Sequence, residues 1–332
     1  MPNDPQVPAR TAPQAAGPRR ALVVANPTAG TMAPEILAET TDLCRERLER
    51  VDVHITRYRG DARAAVSAAL RRPPGEDPDL VVAVGGDGTV GEVIAGMTVG
   101  HRPATAGLVT VPAGTGNSGY RMLWGDLPWQ DALRAALDGP ASGAATRRID
   151  LALLVETGAL VVLGACSGVI AQALETARGI PLTGPARYAE ALAETARTFT
   201  AYPGRVTVDG SVVHEGGTVF ANVGGGRIRG GQYVVLPWSV PDDGLLDVCV
   251  LGADVLPSEV ARLTLNGAHM NRQGVVYARG RTIRVERLDG HPLCFEHDGE
   301  LQPAGGTAMT LRVLPAMIPV WGAPVPELTP AA

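Results

Sequence analysis

The sequence predicts an α/β domain with a parallel sheet, followed by a β-rich domain. In the first half, apolar runs such as residues 21–25 and 80–84 alternate with helical segments, which is the order of βαβ units. After residues 148–150 the order changes to short strand-like runs separated by Gly, Asp and Pro turns, and residues 184–199 and 256–265 keep a helical pattern. A chain of 332 residues is long enough for two domains of ordinary size.

These changes of pattern divide the chain into four parts. The parts are a disordered tail at residues 1–19, the α/β domain at 20–147, the β-rich domain at 148–314 and a loosely packed, Pro-rich tail at 315–332. Helices are expected in the first domain at 35–49, 62–70 and 129–137.

The composition excludes several classes of protein. No run approaches the roughly 18–20 apolar residues that span a bilayer, and a net charge of −5 disfavours nucleic-acid binding. All 29 residues counted as Lys+Arg are arginine, which rules out P-loop, protein-kinase and Schiff-base mechanisms, since each requires a lysine. We therefore expect a cytoplasmic protein in which backbone N–H groups, a metal ion and arginine handle any phosphate.

The cysteines and histidines show no metal-binding spacing. Four widely separated cysteines without a Cys-x-x-Cys pair predict free thiols in a reducing cytosol; they are Cys44, Cys166, Cys249 and Cys294. His297 lies beside Asp298 and could belong to a site, but a histidine at a strand edge is the more ordinary interpretation.

The segment 85–89, Gly-Gly-Asp-Gly-Thr, follows the apolar run 80–84 and precedes a helical segment. Its glycines allow positive φ and a close approach of the backbone to a ligand. Successive N–H groups in such a turn, with the N-terminus of the next helix, favour a bound anion. Asp87 beside a phosphate suggests a divalent cation between the two, although an ordinary βα turn would use the same residue types.

Two further loops have the same character. The strand-like run 108–111 is followed by Pro-Ala-Gly-Thr-Gly-Asn at 112–117, and the run 21–25 by Asn-Pro-Thr-Ala-Gly at 26–30. Loops at the carboxyl ends of parallel strands converge on one crevice, where ligands bind. Three such loops favour a nucleotide-phosphate site over three unrelated turns.

Together these segments resemble the diacylglycerol kinase catalytic domain of bacterial lipid kinases, a family related to NAD kinase and phosphofructokinase. The family's four motifs occur here in order, at 26–30, 85–89, 112–117 and 298–300, and its second-domain signature is similar to residues 230–248. The resemblance implies a first domain like that of NAD kinase and phosphofructokinase. It also implies an active site between the domains and a last segment that returns to the first domain.

The resemblance further implies a set of ATP-contacting residues. Arg121 stands at the family's arginine position, where it could pair a phosphate, while an ordinary surface arginine is the alternative. Thr56 follows the next apolar strand, where the family has another nucleotide contact. The expected set is Asn26, Pro27, Thr28, Ala29, Gly30, Thr56, Gly85, Gly86, Asp87, Gly88, Thr89, Thr115, Asn117 and Arg121.

Three acidic residues are the implied catalytic groups. Asp298 matches the family's general base, a role that needs a carboxylate within hydrogen-bond reach of the substrate hydroxyl, and Glu300 would organise metal-bound water. Asp87 could take the proton instead, and the sequence does not separate the two. Asp-Gly is also a strong hairpin signal by itself.

The segment Asp243-Gly244-Leu245 resembles the family's structural Mg²⁺ site. The implied ligands are the Asp243 carboxylate and the carbonyls of Val240 and Leu245, because oxygen atoms of a tight loop suit a hard cation. A solvent-exposed turn is the competing interpretation.

Two departures from the family concern its first-domain motifs. Ser118 stands where the family has an aspartate that can join the catalytic network, and Thr31 and Met32 stand where a basic residue is common. The resulting expectation is an ATP- and Mg²⁺-dependent kinase for a diacylglycerol-like lipid presented at a membrane surface. A kinase for a soluble metabolite, as NAD kinase is, and a nucleotide-binding relative without turnover are the alternatives. The oligomeric state, a homodimer included, and peripheral contact with the inner membrane face stay open.

Overall fold

The computed structural model describes residues 17–139, 146–182, 184–303 and 305–321. The α-helices are α1 Pro34–Arg45, α2 Asp61–Ala69, α3 Asp87–Met97, α4 Ser118–Trp124, α5 Trp129–Asp138, α6 Val169–Thr176, α7 Gly184–Thr198 and α8 Val260–Thr264. Short 3₁₀ segments cover Val99–His101, Ala177–Gly179, Pro257–Glu259 and Ala268–Asn271.

Most of the strands belong to one continuous mixed sheet, and β10 and β11 form a separate hairpin. The strands are β1 Arg20–Ala25, β2 Arg50–Ile55, β3 Leu80–Gly85, β4 Gly107–Pro112, β5 Thr146–Leu154, β6 Ala159–Val161, β7 Ala165–Gly168, β8 Tyr202–Val208, β9 Ser211–Gly224, β10 Ile228–Arg229, β11 Tyr233–Val234, β12 Leu246–Gly252, β13 Val275–Gly280, β14 Thr282–Arg287, β15 Phe295–His297, β16 Glu300–Leu301 and β17 Ala308–Trp321.

The first domain contains a parallel sheet in the order β2-β1-β3-β4. The inner strands β1, β3 and β4 are buried along nearly their whole length, because helices cover the two faces of a parallel sheet. The helices predicted at 35–49, 62–70 and 129–137 correspond to α1, α2 and α5. The predicted α/β class of this domain is therefore confirmed.

Strands β5 and β17 join the two domains. Each contributes to the first hydrophobic core, through Ile149 and Ile318, and to the second core, through Leu154 and Leu311. The two strands are paired antiparallel along most of their length. The boundary predicted between residues 147 and 148 therefore falls inside β5, which belongs to both domains.

The prediction of a loose tail from residue 315 is wrong as far as residue 321. These residues continue β17, whose Val320 pairs in parallel register with Leu108 of β4, and Met317 is buried. Pro315 suggested an end to regular structure, but it lies at an irregularity of register between Leu314 and Ile318, where a proline is tolerated. The expected return of the last segment to the first domain is confirmed, and residues 322–332 lie outside the described range.

The tail predicted at residues 1–19 does not extend to residue 19. The backbone N–H of Arg19 donates to the Asp79 carboxylate (3.0 Å), and its carbonyl accepts the N–H of Glu49 (2.9 Å). Arg19 is thus held against the first domain, while residues 1–16 lie outside the described range.

The second domain is an antiparallel sheet in the order β16-β15-β7-β9-β8-β14-β17, in which β12 also pairs with β9, and β13 pairs with β12. Helices α6, α7 and α8 pack on one face and enclose a third hydrophobic core around Phe220 and Leu251. The predicted β-rich class is confirmed. All four cysteines are free thiols, as predicted, and burial raises the pKa of Cys44 to about 12.

Candidate active site

Three loops meet at the carboxyl ends of β1, β3 and β4. The N–H of Asn26 donates to the carbonyl of Val84 (3.0 Å), and the N–H of Ala113 donates to the carbonyl of Gly85 (3.0 Å). The N–H of Thr31 donates to the carbonyl of Ala113 (2.9 Å), so the first and third loops are also joined. The predicted convergence of the loops is confirmed.

This convergence requires glycine at the contact between the second and third loops. A Cβ atom on Gly114 would lie 2.4 Å from the Cα of Gly86, and one on Gly86 would lie 3.0 Å from the Cα of Gly114. Both neighbours are backbone atoms, which cannot turn aside as a side chain can. Gly85 is similarly restricted, since a Cβ there would lie 2.6 Å from Oγ1 of Thr89.

Several polar side chains of the loops are engaged in holding the loops themselves. The Asn26 Oδ1 accepts the N–H (3.0 Å) and hydroxyl (2.9 Å) of Thr28, and its Nδ2 donates to Thr89 Oγ1 (3.1 Å). Asn117 closes a ring on Gly114: its Oδ1 accepts the Gly114 N–H (2.9 Å) and its Nδ2 donates to the Gly114 carbonyl (2.8 Å). These residues therefore fix the shape of the turns, and their direct contact with a nucleotide stays a prediction.

The remaining expected nucleotide contacts lie around the same loops. The Ala29 N–H donates to the Asn26 carbonyl (3.2 Å), which closes the turn that also contains Pro27. Gly30 faces Thr115, since a Cβ on Gly30 would lie 2.6 Å from Thr115 Cγ2. The Thr56 N–H donates to the carbonyl of Ala25 (2.9 Å), which places Thr56 beside the end of β1.

Asp87, the first residue of α3, holds the start of α4. Its carboxylate accepts the N–H groups of Ser118 (3.0 Å) and Gly119 (2.9 Å), two of the donors that the first turn of a helix leaves without a partner. An ionised carboxylate has roughly four acceptor positions, so Asp87 keeps acceptor capacity for a further ligand.

Helix α4 also connects the two domains. The Ser118 hydroxyl accepts the N–H of Gly231 (2.8 Å), and Arg121 Nη1 donates to the Gly231 carbonyl (2.5 Å). Ser118 thus makes a hydrogen bond across the domains at the position where the family has an aspartate. Arg121 contacts this second-domain loop, and its pairing with a phosphate stays a prediction.

Asp298 lies in the tight turn between β15 and β16. Asp298 and Gly299 both have positive φ (50° and 85°), as expected for a two-residue hairpin turn. The Asp298 Oδ1 accepts the N–H groups of Leu163 (2.7 Å) and Gly164 (3.3 Å), and Oδ2 accepts the N–H of Val162 (2.9 Å). The hairpin interpretation and the candidate catalytic role therefore apply to the same residue.

The surroundings of Asp298 keep its carboxylate ionised. Burial raises its pKa, but His297, the N–H groups of Val162 and Leu163 and the nearby charge of Arg229 outweigh this effect and lower the pKa below its ordinary value. The Nδ1 of His297 lies 3.6 Å from Asp298 Oδ2, beyond hydrogen-bond distance but close enough for attraction. Burial lowers the pKa of His297, but the attraction of Asp298 outweighs burial and raises the pKa above its ordinary value. His297 is a strand residue, as the sequence predicted.

A buried ion pair between Arg229 and Glu296 contacts the turn at Asp298 and Gly299. Arg229 Nη2 lies 2.5 Å from Glu296 Oε1, and Glu296 Oε2 accepts the N–H of Gly299 (2.8 Å). Glu296 is 2 % exposed, and burial raises its pKa although the charge of Arg229 opposes this. Sequence reasoning missed both residues; the available signal was an acidic residue directly after the apolar residue Phe295 and two positions before Asp298.

Two cavities share Asp87 and Asp298 in their walls. The first, called the polar recess for its charged side chains, has a volume of about 390 Å³ and is lined by Asp87, Glu92, His297, Asp298 and Glu300, together with apolar residues such as Val99, Leu160 and Val162. The apolar cavity has a volume of about 310 Å³ and extends into the second domain between Leu163, Ile170, Leu174, Leu192, Phe220 and Val235, again with Asp87 and Asp298 in its wall. Both acids are therefore accessible from the polar recess and from the apolar cavity.

Glu300 lies at the outer edge of the polar recess. Its side chain is 55 % exposed and forms an ion pair with Arg59 of the first domain. This pair is a second contact between the domains. The predicted role of Glu300 in organising metal-bound water stays a prediction.

The predicted structural Mg²⁺ site is a poor fit to the residues around it. The Asp243 carboxylate pairs with Arg279 and accepts the N–H of Leu245 (3.0 Å), and Arg279 also pairs with the buried Asp247 (3.0 Å). A guanidinium group thus supplies the positive charge that an ion bound by Asp243, Val240 and Leu245 would supply. No group of three or more His, Cys, Asp and Glu side chains is placed to hold a metal ion within the described residues.

Comparisons with known proteins agree with this architecture. Residues 20–152 match the family described as diacylglycerol kinase catalytic domain, and residues 164–322 match the YegS C-terminal NAD kinase beta sandwich-like domain. A diacylglycerol kinase of Bacillus subtilis (strain 168) is 29 % identical over 277 residues, which cover 80 % of this chain and 86 % of the relative. A protein of Xanthomonas oryzae pv. oryzae named "Probable lipid kinase YegS-like" is 30 % identical over 279 residues, covering 80 % and 84 %.

The fold is shared with a solved structure. A crystal structure of a diacylglycerol kinase from Bacillus anthracis str. Sterne superimposes with a TM-score of 0.67 at 20 % identity, covering 91 % of this chain and 96 % of that one. The fold and the family matches thus define a two-domain kinase. The chain belongs to the diacylglycerol kinase catalytic-domain family. In the part of the chain that the structure describes, the helices are too short or too polar to cross a membrane.

Proposed function

We propose that this protein is an ATP- and Mg²⁺-dependent lipid kinase that transfers the γ-phosphoryl group to the hydroxyl of a diacylglycerol-like lipid. One observation carries the proposal: Asp87 and Asp298 lie in the walls of both the polar recess and the apolar cavity. A phosphoryl transfer to a lipid needs a polar space for the triphosphate, an apolar space for the chains and an acid between them. The family relatives named as diacylglycerol and lipid kinases support the same substrate class.

The triphosphate would be held by backbone N–H groups of the turn 85–89 and the N-terminus of α3, since the chain has no lysine to do so. The three glycine-rich loops would border the nucleotide, with Thr56 beside them. When bound, Mg²⁺ would neutralise charge on the phosphates, and the Asp87 carboxylate, which lines the polar recess, is an oxygen donor of the kind that Mg²⁺ prefers.

Asp298 is the proposed acceptor of the hydroxyl proton. Three N–H groups already use part of its acceptor capacity, and with roughly four acceptor positions on a carboxylate it keeps room for one hydroxyl. As the lipid oxygen forms its bond to the γ-phosphorus, the bond to the leaving ADP oxygen breaks and the proton passes to Asp298. Asp87 has similar capacity left and is the alternative acceptor.

Incubation of the full chain with Mg²⁺ and [γ-³²P]ATP tests the proposal. The panel contains dioleoylglycerol, sphingosine, phosphatidylglycerol and NAD, and thin-layer chromatography separates the products. The expected result is labelled phosphatidic acid with little label in the other products. Label in NADP would favour a soluble-metabolite kinase, and ATP binding without any labelled product would favour a relative that has lost turnover.

A further inference from the structure

The apolar cavity contains a buried polar group that the proposed transfer does not use. Asn222, in β9, is 1 % exposed and lines the cavity beside Phe220. Its Nδ2 atom is buried and has no hydrogen-bond partner among the residues that the structure describes. A buried amide without a partner is unfavourable, so its presence in an apolar wall needs an explanation.

The register of the strands places Asn222 on the same face of the sheet as Glu296. Asn222 pairs with Cys166 of β7, and Cys166 pairs with Glu296 of β15. Directly paired residues point to the same face, and two strand spacings put Asn222 roughly 10 Å from Glu296 between Cα atoms. Asp298 follows Glu296 by two residues, and it lines the same cavity as the Asn222 amide.

A second donor without a partner lies in the same wall. The Nη1 atom of Arg229 is buried and lacks a hydrogen-bond partner within the described ranges, while its Nη2 pairs with Glu296. Arg229 and Asn222 both line the apolar cavity. Two donors without partners in the wall of one largely apolar cavity suit an acceptor oxygen on a bound lipid.

We propose that the Asn222 carboxamide binds an ester carbonyl of the lipid and thereby selects acylated glycerols over lipids without that carbonyl. The inference rests on the proposed lipid kinase function and makes its substrate class narrower. An ester carbonyl is a strong acceptor a few bonds from the reacting hydroxyl of a diacylglycerol. An ether-linked dialkylglycerol has the same hydroxyl and chains but lacks the carbonyl.

The test compares kcat/KM for dioleoylglycerol and for its ether-linked dialkyl analogue. The wild-type protein is expected to prefer the ester by at least tenfold. Asn222→Leu, which keeps the side-chain volume, should lower kcat/KM for the ester by about tenfold or more and leave that for the ether within about twofold. Phe220→Leu is the matched control two residues away in β9, and it should shift both substrates together.

A measurement without ATP supplies a second readout. Dioleoylglycerol should raise the Tm of the wild-type protein more than the dialkyl analogue does, and this difference should vanish in Asn222→Leu. The Tm of the variant without lipid should equal or exceed that of the wild type, because an unpartnered buried amide has been removed. If Asn222→Leu does not fold, the wild-type comparison still tests the inference, because equal kcat/KM and equal Tm shifts for the ester and the ether would refute it.

Two outcomes would overturn the inference and can be told apart. Transfer to both lipids with equal kcat/KM, or equal losses for both in Asn222→Leu, refutes the role of Asn222 and leaves the lipid kinase function intact. No transfer to any lipid refutes the proposed function and the inference together.

Discussion

Replacing Asp298 with Asn removes the negative charge at the turn between β15 and β16 while keeping the size of the side chain. A carboxamide is a very poor proton acceptor, so the loss of a general base should lower kcat by about 10²- to 10⁴-fold. The three glycine-rich loops do not depend on this side chain, which accepts hydrogen bonds from residues 162–164. The Kd for ATP should therefore stay within about twofold of the wild-type value.

The hydrogen bonds of Asp298 also allow an estimate of how much folding stability Asp298→Asn loses. Asp298 Oδ2 accepts from Val162 and Oδ1 accepts from Leu163 and Gly164. An Asn keeps one acceptor oxygen, and its NH₂ group would face the remaining N–H donor. Loss of that charged hydrogen bond costs about 1–3 kcal/mol. For a chain of this size 1 kcal/mol corresponds to about 2 °C, so the Tm should fall by about 2–6 °C and the variant should remain folded at 25 °C.

The assay measures transfer from [γ-³²P]ATP to dioleoylglycerol, with the Kd for ATP from calorimetry and the Tm from circular dichroism. Asp126→Asn is the matched control, since Asp126 is exposed, and it should behave as the wild type. Turnover of Asp298→Asn within tenfold of the wild type would refute the base assignment and favour Asp87. A loss of ATP affinity equal to the loss of turnover would show that Asp298 acts on the loops.

Three further predictions concern the loops, pH and the metal ion. Gly114→Ala places a Cβ 2.4 Å from the Gly86 Cα, so calorimetry should show at least a tenfold weaker ATP affinity; unchanged affinity would contradict the role of this contact. The pKa of Asp298 is lower in the folded protein than in the unfolded chain. The ionised carboxylate therefore stabilises the fold above the unfolded pKa of about 3.9, and this stabilisation is lost as the pH falls through the folded pKa. The Tm should decline below about pH 4, and less steeply in Asp298→Asn than in the wild type; parallel Tm profiles for the two proteins would contradict this. EDTA should abolish transfer yet change the Tm of the nucleotide-free protein by no more than about 1 °C, because Arg279 already neutralises Asp243; a fall of several degrees would restore the structural metal site.

The loops of the first domain could be predicted from sequence because their chemistry is local. Gly86 and Gly114 are needed where two turns approach within the space of a Cβ, and Asn117 is suited to the positive φ of 53° that it adopts. Each loop follows a fully apolar strand, and parallel strands bring their carboxyl ends to one edge. The order of residues alone therefore predicted that these three loops meet.

The acceptor side of the site depends on contacts that are distant in the chain. Asp298 accepts hydrogen bonds from residues 162–164, which precede it by 134 to 136 positions in the sequence. Arg229 pairs with Glu296, which is 67 positions further along the chain. No periodicity or spacing encodes such partners, so the buried ion pair was missed. The position of Asn222 in the cavity wall likewise follows from the register of β7, β9 and β15 and could not be read from its neighbours.

The error at the carboxyl end has a physical cause as well. Two prolines within residues 314–320 suggested that regular structure had ended. The strand accommodates Pro315 at an irregular register, where the N–H of Ala316 donates instead to the Asp150 carboxylate (2.7 Å). A side chain from β5 thus satisfies the backbone at this irregularity, a long-range contact that composition cannot indicate.

A crystal structure of the protein with Mg²⁺, a non-hydrolysable ATP analogue and dioctanoylglycerol would test the central claim most directly. We predict that the γ-phosphate lies in the polar recess beside Gly88, that the acyl chains fill the apolar cavity, and that the lipid hydroxyl lies within about 3.2 Å of an Asp298 or Asp87 carboxylate oxygen. A nucleotide bound away from the turn 85–89, or a lipid whose hydroxyl is remote from both acids, would contradict it.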